Sequence, residues 1–235
     1  MYAESPDPER TDAEIAGRLL TVGVGIAVAG GLVIVVAHAI NALMLDDRFF
    51  ELNARSEGSF FTWASSSAAF GAALTAAVHA ILIERHRLRW TVVAVAFAYS
   101  SLDDFVRVHE RLGQALYTDS LGLSKELASR LEILTFAPLL AAGFLAAWSL
   151  SRVQPARVGA LLRFGLITLA AALAFELVAG STRLLLDGPL AWIDELRIAS
   201  EEGLELAGWT VVATAFTGAL CVRLVGVGRE DRVLH

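Results

Sequence analysis

Long apolar runs alternate with short polar connections along almost the whole chain. A helix that crosses a bilayer needs about 20 mostly apolar residues. At that length the runs predict six spans, at roughly 17–45, 60–83, 90–106, 131–151, 158–186 and 204–225. The first and fifth are long enough to tilt or to project beyond the bilayer. The third is short in its apolar part and continues into the amphipathic stretch VRVHERLGQAL. Ser124 is placed to N-cap a helix leading through Leu131 into the fourth span. Pro138 is expected to kink that span or to sit in its first turns. Gly188-Pro189 is expected to break the chain before a short helix that feeds the sixth span. Gly23, Gly25, Gly30 and Gly31 are spaced for close helix packing rather than for phosphate binding. Neither repeats nor the alternating segments of a β-barrel are present. The fold class expected is therefore all-α, a polytopic membrane helical bundle with one six-helix domain over 17–226. It is flanked by a disordered, acidic tail at 1–16, without the basic start of a signal peptide, and by a cytoplasmic tail at 227–235.

Charge placement adds an orientation. Arg85, Arg87 and Arg89 follow the second run, Arg152, Arg157 and Arg163 the fourth, and Arg223, Arg229 and Arg232 the sixth. Positive residues collect on the cytoplasmic side, so both termini are expected inside. The acidic connections 46–59, 107–130 and 187–200 then face out. Composition agrees: of 235 residues 56% are hydrophobic and 19% charged, and the mean hydropathy is +0.59. The net charge of −6 is divided between two faces and carries no message about nucleic acid. The single cysteine, Cys221, excludes an intrachain disulfide. Lys125 is the only lysine among many arginines, an association with high-GC bacterial coding. The expected location is the bacterial cytoplasmic (inner) membrane, with the lipid bilayer as partner and no nucleic acid; the oligomeric state is left open.

The carboxylates bunch at one set of run ends. Asp46, Asp47, Glu51 and Glu57 lie between the first two runs, and Asp103, Asp104 and Glu110 close the third. Glu176 sits late in the fifth, and Asp194, Glu195, Glu201, Glu202 and Glu205 open the sixth. Alternate crossing puts all of these on the outer side. On a continuous helix Asp103 and Glu110 are about two turns apart and nearly eclipsed, with Arg107 between them and His109 about 100° away from Glu110. The alternative to a site there is an Arg107 clamp on two boundary carboxylates. Glu201, Glu202 and Glu205 share a stripe at i, i+3 and i+4 spacing, and their repulsion requires an arginine, a cation or a shared proton. Arg197 is four residues before Glu201, and an ordinary acidic helix start is the alternative. Glu176 is surrounded by apolar turns, at a cost of about 2.5–3.5 kcal/mol for an acid at a span centre; the bundle interior, or Arg183, is its expected partner. His38 lies toward the outer end of its span and is placed to join the acidic cluster. His79 lies toward the inner end, where a helix–helix hydrogen bond is the ordinary role.

Named motifs fail. His109-Glu110-Arg111-Leu112-Gly113 has Gly113 where a zincin helix has its second His. No Glu-x-x-His pair of the carboxylate-bundle metal proteins occurs. Glu201-Glu202 is similar to the adjacent glutamates of some membrane proteases, but the following Arg is absent. SLDDFVRVHERL with SEEGLELAGW resembles a set of uncharacterised bacterial multi-pass membrane proteins. They carry a Ser-Leu-Asp-Glu…His-Glu helix and a Glu-Glu-x-x-Glu helix; Asp104 stands here in place of the Glu. EGSFFTWASSS at 57–67 is similar to their acidic residue before a Trp-Ser-Ser helix start. The resemblance spans most of the chain and implies which residues form the site, not an activity.

The expected function is accordingly a metal-cation site, or a metal-dependent catalytic site, near the outer leaflet. It would be lined by Glu57, Asp103, His109, Glu110, Glu176, Glu201, Glu202 and Glu205. Oxygen-rich ligation favours Mg²⁺, Ca²⁺, Mn²⁺ or Fe²⁺, with Zn²⁺ next. A catalytic metal would activate water against a lipid-borne or periplasmic small-molecule substrate. Two other classes stand beside this one. A cation or proton transporter or channel would use the same intramembrane acids, although the inner halves of the spans offer little beyond His79 and Thr75. A structural subunit would dock a basic partner on exposed acids.

Overall fold

The structure is a computed structural model that describes residues 8–56, 58–83, 85–182 and 191–233. Among these residues the regular structure is entirely helical. Six long helices are present: α1 (Pro8–Met44), α2 (Phe60–Leu82), α3 (Arg87–Val106), α5 (Lys125–Ser151), α6 (Ala156–Thr182) and α7 (Ala191–Val233). A short α4 (Val108–Gly113) and a π-helical stretch (Gln114–Ser120) lie between α3 and α5. The long helices coincide with the six apolar runs, but several boundaries differ. Helix α1 is already helical from Pro8. Helix α5 starts at Lys125, directly after Ser124, so Pro138 falls well inside it. Helix α7 runs from Ala191 without the separate short helix expected before the sixth run. The Gly188-Pro189 break lies outside the described residues.

Among the described residues four helices are long and apolar enough to cross a membrane, over Gly17–Met44, Phe60–Leu82, Ala156–Phe175 and Trp192–Leu224. The chain therefore reads as a membrane protein. Helix α3 carries Arg87, Arg89, Asp103 and Asp104 within its twenty residues. Among the described residues of α5, Phe136–Ser151 forms an apolar stretch shorter than the others.

Contacts between helices fix their directions. The Ser66 hydroxyl donates to the Ser101 carbonyl at 2.6 Å, and the Ser101 hydroxyl returns the bond to the Ser66 carbonyl at 2.8 Å. At the other end His79 stacks on Trp90 with ring centres 4.1 Å apart, so α2 and α3 are antiparallel. Phe61 clusters with Ile198, and a His79 ring nitrogen donates to the Phe216 carbonyl at 3.1 Å, so α2 and α7 are parallel. Gly31 meets Gly203 while Gly23 meets Thr214, and Gly165 meets Val212 while Gly208 meets Leu169. Helices α1 and α6 thus both run antiparallel to α7. Tyr99 stacks on Phe136 and Ala96 abuts Gly143, which makes α3 and α5 antiparallel. Direction alternates through the whole series.

Helix α7 is the centre, packed by α1, α2 and α6. Small residues bring these helices close: a Cβ on Gly31 would lie 2.9 Å from the Gly203 carbonyl oxygen, and one on Gly208 2.7 Å from Leu169. The expected glycine packing on α1 holds for Gly23, Gly30 and Gly31, whereas Gly25 faces open space. The core joins Trp90, Phe97, Leu162, Leu166, Trp209 and Phe216 from α3, α6 and α7. Such close contact provides dispersion that lipid tails, equally apolar, do not otherwise replace.

Candidate functional site

Alternation places the C-terminal ends of α1, α3 and α6 beside the N-terminal ends of α2, α5 and α7. Two polar assemblies lie at this end, and the first is organised by the α1–α2 connection. Asn41, fully buried near the end of α1, accepts from the Phe49 backbone N–H at 3.1 Å and donates to the Phe49 carbonyl at 2.9 Å. Asp46 and Asp47 take positive φ in the turn between them, a conformation that short polar side chains tolerate. The connection folds back, buries Ala54 and ends at Ser59, whose hydroxyl accepts the Thr62 N–H at 3.3 Å and caps α2.

This fold-back delivers Arg55 to the start of α7. Its Nε donates to both Glu195 oxygens at 3.2 and 3.1 Å. Its Nη2 reaches Glu195 and Asp194 at 2.8 Å each. Arg197 binds the other oxygen of Asp194 at 3.0 Å and Glu201 at 2.8 Å. Glu195 ahead of Asp194 holds the Arg55 guanidinium above the ordinary arginine value, against the opposing effect of its partial burial. His38 completes the chain from α1. Its ring is 0% exposed, Nδ1 accepts the Ala54 N–H at 3.1 Å, and Nε2 lies 3.0 Å from Glu195. The backbone donor assigns the proton to Nε2, so the neutral imidazole donates to Glu195. One continuous series of polar contacts thereby ties α1, the connection and α7 together.

The second assembly sits where α3 ends. Arg107 has φ 56° and ψ 47°, and its N–H closes on the Asp103 carbonyl at 2.7 Å. The chain turns there before α4 begins. The Asp103 carboxylate accepts the His109 backbone N–H and the Tyr99 hydroxyl on Oδ1, at 2.7 and 3.0 Å. Oδ2 lies 2.7 Å from His109 Nδ1. A carboxylate on one ring nitrogen fixes the tautomer and orientation of an imidazole and raises the basicity of its other nitrogen.

The expected residues distribute unevenly over this geometry. Asp103 and His109 are brought together, contrary to the expectation that His109 points to a neighbouring sector. The expected face shared by Asp103 and Glu110 assumed a continuous helix, and the left-handed residue at Arg107 interrupts it. Arg197 pairs with Glu201 as its spacing suggested. Glu202 and Glu205 are half-buried on α7, and Glu205 accepts the Trp209 indole N–H at 3.2 Å. Glu57 lies outside the described residues, as do the side chains of Glu110 and Glu176. Among the described residues no group of three or more His, Cys, Asp and Glu side chains is arranged to hold a metal ion. His38 joins the acidic cluster through Glu195. His79 makes the helix–helix bond expected of it, to Phe216.

Three participants were not on the expected list: Arg55, Asp194 and Glu195. Their signal was available in Arg55 itself. An arginine in an acidic connection that was expected to face outward runs against the positive-inside bias, and such a residue calls for a carboxylate partner. No curated protein and no solved structure matches the chain. The model of the family described as "Domain of unknown function (DUF8692)" matches residues 19–219, spanning the bundle from α1 through most of α7, and the chain belongs to that family.

Proposed function

We propose that the chain is a six-span inner-membrane protein with cytoplasmic termini, and that its outer end binds a divalent cation at a centre built on Asp103 and His109. The alternation of helix direction supports six crossings, because it brings α3 and α5 through the bundle with the four more apolar helices. The three arginine-rich ends then fall together, which supports the orientation. The observation that carries the cation centre is the 2.7 Å contact between Asp103 Oδ2 and His109 Nδ1. Metal-binding histidines characteristically give their second ring N–H to a carboxylate.

Arg55 and Arg197 engage Asp194, Glu195 and Glu201, which favours a centre away from those acids. Oxygen ligands would come from the acidic start of α7, where Glu202 and Glu205 are half-buried. One imidazole within an oxygen-rich set still suits Mg²⁺, Ca²⁺, Mn²⁺ or Fe²⁺, with Zn²⁺ next. Whether the cation assists hydrolysis of a lipid-borne or periplasmic substrate or staples the bundle is a further choice that the same centre allows. The test is a melting series in detergent, first with chelator and then with each of the five ions. Selective ligand binding raises the melting temperature with concentration. The rise should be lost in His109→Ala and Asp103→Asn and kept in Glu201→Gln. An unchanged melting temperature with every ion would remove the proposal.

Cation or proton passage is the second reading. The ion pairs of Arg55 with Asp194 and Glu195 favour it, because they join separate elements across the outer end, where a gate would act. The inner half gives it less support: His79 is bound to Phe216 and stacked on Trp90, and the Thr75 hydroxyl donates to the Gly71 carbonyl of its own helix.

A further inference from the structure

Helices α1 and α6 both lean on α7 but leave a furrow between them at the end opposite the acidic cluster. Its volume is about 570 Å³, within the usual range of small-molecule sites, about 300–1,000 Å³. The walls are apolar, from Leu20 and Val24 on α1 and Ala160, Leu161 and Phe164 on α6. Gly218 of α7 lies at the inner side, where an added Cβ would meet Leu20 at 3.1 Å and Val158 at 3.9 Å. One charged residue, Arg157, lines the furrow. Its guanidinium spans the mouth: Nη1 lies 3.9 Å from where a Cβ on Gly17 would be. Arg18, also exposed, follows Gly17 on α1 without lining the furrow.

We propose that this furrow is a binding site for an acidic glycerophospholipid, one acyl chain lying between α1 and α6 and the phosphate on Arg157. The proposal is independent of the cation centre, which lies at the other end of the bundle. Charge complementarity selects the occupant. An acyl chain gains little by moving from bilayer to furrow, because lipid tails are as apolar as the walls. Discrimination must therefore come from the headgroup. The furrow lies at the end of the bundle where the arginine-rich connections gather, which is the leaflet expected to be cytoplasmic and to carry the acidic lipids. The Arg157 guanidinium provides the forked donor that suits a phosphate oxygen pair.

The experiment uses the full chain in neutral detergent. Dioleoyl phosphatidylglycerol and dioleoyl phosphatidylcholine are titrated separately and bound lipid is counted by native mass spectrometry. A basic side chain near an acidic surface contributes about 1 kcal/mol, about fivefold in affinity. Phosphatidylglycerol should thus bind about fivefold more tightly than phosphatidylcholine. Arg157→Gln should abolish that preference, weakening phosphatidylglycerol more than phosphatidylcholine. Ala160→Trp, which fills the furrow from an exposed position, should reduce both. Inorganic phosphate alone should not compete, since the tail holds the headgroup in place. Equal binding of the two lipids, a preference that survives Arg157→Gln, or competition by phosphate would each overturn the proposal. So would a change of oligomeric state in Ala160→Trp, which would assign the furrow to a second copy of the chain.

Discussion

Removing Arg55 should cost the bundle about 2–3 kcal/mol. The guanidinium makes one bidentate and one single charge-assisted contact set, with N···O distances of 2.8–3.2 Å to Glu195 and 2.8 Å to Asp194. Breaking a fully buried pair costs about 3–5 kcal/mol, and an exposed pair is worth about 0–1 kcal/mol. Here the arginine side chain is 33% exposed and its partners 11% and 18%, so the cost falls between those limits. Glu195→Ala should cost more than Arg55→Ala. It also deprives His38, at 0% exposure, of its acceptor, and an orphaned buried donor adds about 1–3 kcal/mol. Arg55→Lys should recover only part of the loss, since an ammonium cannot reproduce the fork. The assay is equilibrium unfolding in mixed micelles with a double-mutant cycle over Arg55 and Glu195. Coupling of about 1–3 kcal/mol is expected for groups in one network. An Arg55→Ala protein within about 0.5 kcal/mol of the parent, the usual range for neutral surface changes, would refute the assignment of this network as a structural lock.

Three other outcomes are expected. Reporter fusions at residue 87 and at the C-terminus should read cytoplasmic, and fusions near residues 55 and 120 periplasmic; a periplasmic C-terminus would remove both the six-span count and the one-sided site. Gly31→Leu should destabilise the protein by more than about 2 kcal/mol, because its Cβ would lie 2.9 Å from the Gly203 carbonyl, whereas Gly25→Leu, with nothing within 4 Å, should be nearly neutral in an unfolding titration. His38→Ala should free the Ala54 N–H and speed its hydrogen exchange, while an unchanged exchange rate would show that the imidazole does not hold the connection.

Helices were legible in the sequence because the membrane demands long, continuous apolar runs, and that demand is local. The glycine contacts of α1 and the Arg197–Glu201 pair were legible for the same reason, through spacing along a single helix. The continuous helix assumed for the Asp103–Glu110 face is interrupted at Arg107. Neither Gly nor Pro marks the break at Arg107; the Asp103 carboxylate accompanies it by accepting the His109 N–H beyond the turn. Arg55 was missed because its partners are 139 and 140 residues away, beyond any periodicity. Its placement in an acidic connection expected to face outward was nevertheless a readable anomaly. The continuity of α7 through Gly203 was equally hidden: glycine there is required by the approach of α1, not by a turn.

The cation centre is tested most directly by electron paramagnetic resonance of Mn²⁺ added to the purified full-length protein in detergent. One bound ion per chain is expected, with a nitrogen coupling from a single imidazole that disappears in His109→Ala and is retained in His38→Ala. Mn²⁺ that remains free in solution, or a nitrogen coupling that survives His109→Ala, would contradict a divalent-cation centre built on Asp103 and His109.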